Sequence, residues 1–138
     1  AMTGEELAKL YAEVVKVRPE AEVECYDDCG QTLRRWHHPR NDDEYGWWFA
    51  TETEVSLGHY PRAGTDTEVR AMSNKQASAL IVYHWISMMP EPFCLVHVSG
   101  RSGNERWAVY DGTTYWYAPT TIEALANYLK STGTENEA

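Results

Sequence analysis

Three cysteines and five histidines are the side chains of this 138-residue chain best suited to metal binding or nucleophilic chemistry. Cys25 and Cys29 bracket Tyr-Asp-Asp, and Cys94 and His97 bracket Leu-Val. Three thiolates and one imidazole would complete a tetrahedral zinc site, and short spacers of this kind are what a zinc knuckle uses. The second pair lies in a stretch that reads as a strand. Side chains at odd separation in a strand point to opposite faces. The set Cys25, Cys29, Cys94 and His97 is therefore the metal alternative, and the main expectation is no metal and no cofactor.

A second constellation is nucleophilic. Cys29, His97 and Asp111 follow one another in the order of a nucleophile, a general base and an orienting carboxylate. The segment Asp28-Cys29-Gly30-Gln31-Thr32 resembles the nucleophile neighbourhood of papain-like cysteine peptidases, particularly bacterial leader peptidases. That resemblance spans a few residues and implies an amide or peptide hydrolase with Cys29 as nucleophile, His97 as base and Asp111 as orienter. In the family the cysteine begins a long buried helix that lowers its pKa. Here residues 31–36 read as a strand followed by Pro39, and no upstream glutamine stands near Cys29 to hold an oxyanion. The hydrolase is the alternative function; a non-enzymatic interaction or regulatory module is the main expectation.

The remaining ionisable groups favour structural roles. His59 and His84 have no evident partner in the sequence, His84 on the apolar face of a helix reads as a satisfied structural histidine, and the adjacent His37 and His38, another source of metal ligands, read as solvated loop residues. Asp42-Asp43-Glu44 lacks the spaced oxygen ligands of a calcium loop. Arg34, Arg35 and Arg40 form the one local basic concentration, next to that acidic triplet, and no glycine-rich phosphate loop reinforces them.

Aromatic residues carry the stronger signal. Of six Trp, nine Tyr and two Phe, seven fall in Tyr45-Gly46-Trp47-Trp48-Phe49 and Tyr115-Trp116-Tyr117. Neighbours along a strand face opposite ways, so Trp47 and Trp48 cannot share a sheet face. Trp and Tyr combine large apolar area with a polar atom and suit binding hot spots. Trp36, Asp42, Asp43, Glu44, Tyr45, Trp47 and Trp48 are thus expected to form an acidic, aromatic binding surface for another protein or for self-association.

The charge agrees with a protein partner. The net charge is −9, and residues 1–68 hold 15 acidic against seven basic residues while residues 69–138 are nearly balanced. Nucleic acid is an unlikely ligand for such a chain, since phosphate binding needs a basic footprint. No apolar run approaches the ~20 residues needed to span a bilayer, so no membrane role is expected. Residues 1–6 lack the basic and apolar regions of a secretory signal, and three cysteines are too few for a disulfide framework. A cytoplasmic location follows as the expectation.

The elements that would position these residues can be read from periodicity. Leu7, Leu10, Tyr11, Val14 and Val15 predict an amphipathic helix over 4–17, ended by Pro19. Residues 23–27 and 31–36 predict a hairpin around Gly30, and residues 46–53 and 54–60 predict further strands. Ser73 and Gln76 form a capping box for a central helix carrying Ala77, Leu80, Ile81, His84, Trp85 and Met88, the expected spine of the fold. Residues 93–99 read as an inner strand, 106–110 and 113–118 as two more in a meander, and Thr120 with Glu123 caps a last helix. The expectation is one α+β domain over 1–138, a mainly antiparallel sheet with about three packing helices, and a frayed tail over 132–138.

Overall fold

A computed structural model describes residues 2–25, 30–37, 45–56, 71–99 and 103–133. The fold is α+β, with antiparallel sheets and three long helices in one compact unit. Helix α1 (Gly4–Val17) starts where Thr3 accepts the Glu6 amide and Glu6 returns a carboxylate to the Thr3 amide, so the first turn is capped from both directions. Its Leu7, Tyr11 and Val14 stripe is buried. Strands β1 (Thr32–His37) and β2 (Tyr45–Ala50) pair antiparallel, with Arg35 opposite Trp47 and Leu33 opposite Phe49.

The expected hairpin around Gly30 is present in short form. Leu33 donates to the Val23 carbonyl and Cys25 to the Gln31 carbonyl, and Gly30 has φ +74°. A side chain at that φ would strain the turn. On the other edge, Trp47 and Met72 exchange backbone hydrogen bonds at 2.9 and 2.6 Å.

The strand expected over 54–60 is not observed in its described part. Glu52–Ser56 forms the short helix α2, closed by the Val55 amide on the Thr51 carbonyl. Val55 and Ser56 alternate over too few residues for period two to be told from a helical turn, and the ion pair of Glu52 with Arg34 at 2.8 Å ties the start of α2 to β1. Residues 57–60 lie outside the described residues.

Helix α3 (Asn74–Ser87) begins at the predicted box: Ser73 accepts from the Gln76 amide, and the Gln76 carboxamide accepts from the Ser73 amide. Ala77, Ile81 and Trp85 are buried; Leu80, Val82, Ile86 and Met88 also pack against the core, so the helix is covered on more than one side. Tyr83 is the exception, 78% exposed.

The last three strands form the expected meander: β3 (Cys94–His97), β4 (Trp107–Tyr110) and β5 (Tyr115–Ala118), in the order β3-β4-β5. β3 lies on the edge of this sheet, contrary to the inner position expected from its apolar residues. Cys94, Val96 and His97 are exposed, and among the described residues β3 has a partner strand on one side.

Helix α4 (Thr121–Gly133) packs against α1, α3, β4 and β5, and this makes α4 the spine of the fold in place of α3. Its buried residues include Ala124 and Tyr128 as well as the expected Ile122, Leu125, Ala126 and Leu129. The Thr120 hydroxyl accepts from the Glu123 amide and donates to its carboxylate. α4 reaches Gly133, two residues into the stretch expected to fray, because the Thr132 hydroxyl donates to the Tyr128 carbonyl and accepts from Arg18. Residues 134–138 lie outside the described residues.

Candidate functional site

The aromatic residues expected to bind divide between core and surface. Trp47 is 1% exposed; its indole N–H donates to Asn74 Oδ1 at 2.8 Å, and its ring meets Tyr11 edge-on at 6.1 Å. Tyr11 also stacks on Trp85, whose N–H donates to the Ala21 carbonyl. Trp47 is thus a core residue between α1, β2 and α3, and not an exposed binding residue. Trp48, on the opposite face of β2, is also buried, at 7%. Trp36 and Tyr45 lie on the described backbone of β1 and β2, and their side chains lie outside the described residues. So do Asp42, Asp43 and Glu44.

Tyr11 illustrates how this core treats polar atoms. Its hydroxyl accepts the Val23 amide at 2.8 Å. Burial pushes the phenol up to about 12 against the smaller opposing effect of that hydrogen bond.

The two described hydrolase residues, His97 and Asp111, do not come together. His97 lies opposite Trp107 at one end of β3, and Asp111 follows Tyr110, which pairs with Cys94 at the other end. Four residues of strand place them ~13 Å apart at ~3.3 Å per residue. Asp111 instead accepts the Thr113 and Thr114 amides and the Thr113 hydroxyl, and these bonds hold its carboxyl below the usual range. His97 packs edge-on against Trp107 at 5.0 Å. Cys29 lies outside the described residues.

Cys94 and His97 occupy opposite faces of β3, as their odd spacing requires, and among the described residues no group of three His, Cys, Asp or Glu side chains is placed to hold a metal. Cys25 and Cys94 are free thiols.

His84 is satisfied structurally, its Nε2–H donating to the Glu20 carbonyl at 2.8 Å. The basic pair is also engaged. Arg34 bridges to Glu52, and Arg35 donates to Asn74 Oδ1 and lies 5.9 Å from the Trp47 ring. His37 belongs to the described backbone of β1 alone; His38, Arg40 and His59 lie outside the described residues. A cavity of about 260 Å³ lies beside this pair, floored by Tyr11, Leu33 and Trp47. A second, of about 460 Å³, is lined by Leu7, Ile122, Lys75, Ser78, Thr120 and Thr121.

The feature that stands apart is the outer face of the β3-β4-β5 sheet. Register places Leu95, Val109 and Trp116 in one cross-strand row and His97, Trp107 and Ala118 in another. These rows share the face turned to α4, where Trp116 meets Tyr128 edge-on at 4.9 Å. The alternate rows hold Cys94, Tyr110 and Tyr115, and Val96, Ala108 and Tyr117, on the outer face. Tyr110 and Tyr115 stack at 4.4 Å between centroids, and Tyr115 and Tyr117 at 5.8 Å. Tyr115 is 50% and Val96 37% exposed. The sequence signal for this row was present in Tyr115-Trp116-Tyr117, where alternation separates Trp116 from its neighbours, but Tyr110 joins it only through the β4–β5 register.

Comparison with family models, curated proteins and solved structures finds no match to this chain. Among the described residues, no helix is long and apolar enough to cross a membrane.

Proposed function

We propose that this chain is a non-enzymatic protein-interaction module whose contact surface is the outer face of the β3-β4-β5 sheet. The observation that carries this reading is the stacked row Tyr110, Tyr115 and Tyr117 beside the exposed Val96. Rings stacked on one another are already restricted, so a partner that covers them loses little further side-chain entropy on binding. Their hydroxyls and apolar faces together suit a protein surface of mixed character. The acidic residues of the first half, with Asp42, Asp43 and Glu44 among them, act in this reading as a field that repels nucleic acid and other acidic surfaces.

A photo-reactive phenylalanine derivative in place of Tyr115 should cross-link a protein partner in cells. The same probe in place of Tyr83, the exposed tyrosine of α3, should not capture that partner. Tyr115→Ala should lose the partner while remaining folded. Equal retention of the partner by Tyr115→Ala and Tyr117→Ala would overturn the reading.

A further inference from the structure

The two edges of the β3-β4-β5 sheet are finished differently. Val98 donates to the Arg106 carbonyl at 2.7 Å, just beyond the last β3–β4 pair. Backbone bonding alternates along an antiparallel ladder, so Val96 and Cys94 also turn their main-chain groups to β4, and Leu95 and His97 turn theirs outward. At the opposite edge, the bond from the Asp111 amide to the Thr114 carbonyl sets the same alternation and turns the main-chain groups of Tyr115 and Tyr117 outward. There Asn127 of α4 donates its side-chain amide to the Tyr117 carbonyl at 3.2 Å. α4 thus covers part of the β5 edge.

Among the described residues nothing comparable covers β3, and no strand pairs with its outer edge. Its residues Cys94-Leu95-Val96-His97 include no lysine, no proline and no acidic residue, the side chains that commonly guard an exposed edge.

We infer that β3 pairs antiparallel with β3 of a second copy of this chain about a two-fold axis at Val96, joining two three-stranded sheets into one. Charge favours a second copy at this place. Residues 94–118 contain two Arg, one Glu and one Asp, a net charge of zero, whereas residues 1–68 carry −8 and repel their own copy.

The register follows from the backbone. Two-fold symmetry with the tyrosine faces on one side permits only partners of equal parity, and centring on Val96 sets Leu95 opposite His97 of the copy. Every outward N–H and C=O of those two residues is then bonded within the pair. Val96 meets Val96 of the copy in the closer, non-hydrogen-bonded type of pair, with Cα atoms ~4.5 Å apart, and its exposed side chain is covered by a β-branched partner. Both tyrosine rows then lie on one continuous face. The pairing stands on the edge of β3 and does not depend on the tyrosine face being a contact surface.

Sedimentation of the full chain under reducing conditions, from micromolar to millimolar concentration, tests the proposal. Wild type should form a dimer, and Val96→Lys, which sets two ammonium groups opposite each other, should weaken it at least about tenfold. His97→Pro should weaken it as well, since it deletes an outward N–H and no bond to β4. Val96→Thr should preserve it. Under mild oxidation Val96→Cys should give a dimer whose mapped disulfide joins residue 96 to residue 96, while Cys94 remains free.

A chain monomeric at every concentration would overturn the proposal, as would a dimer indifferent to both Val96→Lys and His97→Pro with unchanged circular dichroism. Cross-linking through Cys94 in place of residue 96 would also overturn it. A tyrosine-face partner retained by a strictly monomeric chain would sink this inference alone. A dimer whose Tyr115→Ala variant keeps all partners would sink only the function proposed above.

Discussion

The β1–β2 hairpin and the β3-β4-β5 meander carry the two aromatic concentrations of the chain, and the fold uses them in opposite ways. In the hairpin, Trp47 and Trp48 point to opposite faces and both are buried. In the meander, Trp116 is turned to α4, while Tyr115 and Tyr117 remain on a face where Tyr115 is half exposed. Alternation is equally strict in both. What differs is the number of covered faces, and a run of aromatic residues marks a surface only where one face lacks a covering layer.

That contrast predicts unequal responses to substitution. Trp47→Ala should be the most damaging, lowering stability by about 3–5 kcal/mol as a large core side chain is deleted; a urea melt would show a lower midpoint with little change in slope. Survival of this variant with wild-type stability would break the assignment of the hairpin to the core.

Tyr11→Phe sharpens the same side of the comparison. The Tyr11 pKa lies near 12 in the folded chain against an ordinary value of 10. The native state therefore holds its proton more tightly. The associated stability is fully present below pH 10 and is lost as pH rises from 10 towards 12, by about 2–3 kcal/mol at ~1.4 kcal/mol per unit. Tyr11→Phe should remove that alkaline decline, and at neutral pH should cost about 1–3 kcal/mol because the Val23 amide loses its buried acceptor. Melting temperatures from pH 8 to about 12 would separate the two effects.

Ser73→Ala should cost about 1 kcal/mol by removing the cap of α3, measurable as a small midpoint shift that Ser73→Asp largely restores. Tyr115→Ala should have a similarly small effect, about 1 kcal/mol, since it removes two ring contacts at a half-exposed position. A Tyr115→Ala loss as large as that of Trp47→Ala would erase the distinction between the regions.

Much of the fold could be read from local signals. Thr3 with Glu6, Ser73 with Gln76 and Thr120 with Glu123 mark the starts of the three long helices, and each cap depends only on residues three apart. The Asp111-Gly112 turn, with Gly112 at φ +102°, likewise places β4 and β5 in the chain. The candidate surface was less legible. Trp47 and Trp48 have the same residue types as a binding hot spot, and the burial of Trp47 depends on α1 and α3, which are remote in sequence. The edge position of β3 was hidden for a related reason: Phe93 to Val98 is as apolar as an inner strand, and the sequence does not record how many neighbours a strand acquires. The helical turn at Glu52–Ser56 escaped because its few residues fit either period.

The sequence by itself determined the starts of the three long helices, the antiparallel meander and the separation of Cys94 from His97, because each rests on contacts within a few residues or on the parity of a strand. Tertiary structure alone decided which aromatic group became core, which strand became an edge, and that α4 and not α3 is the spine. Those outcomes depend on which faces are covered by distant parts of the chain, and burial is a property of the packed whole.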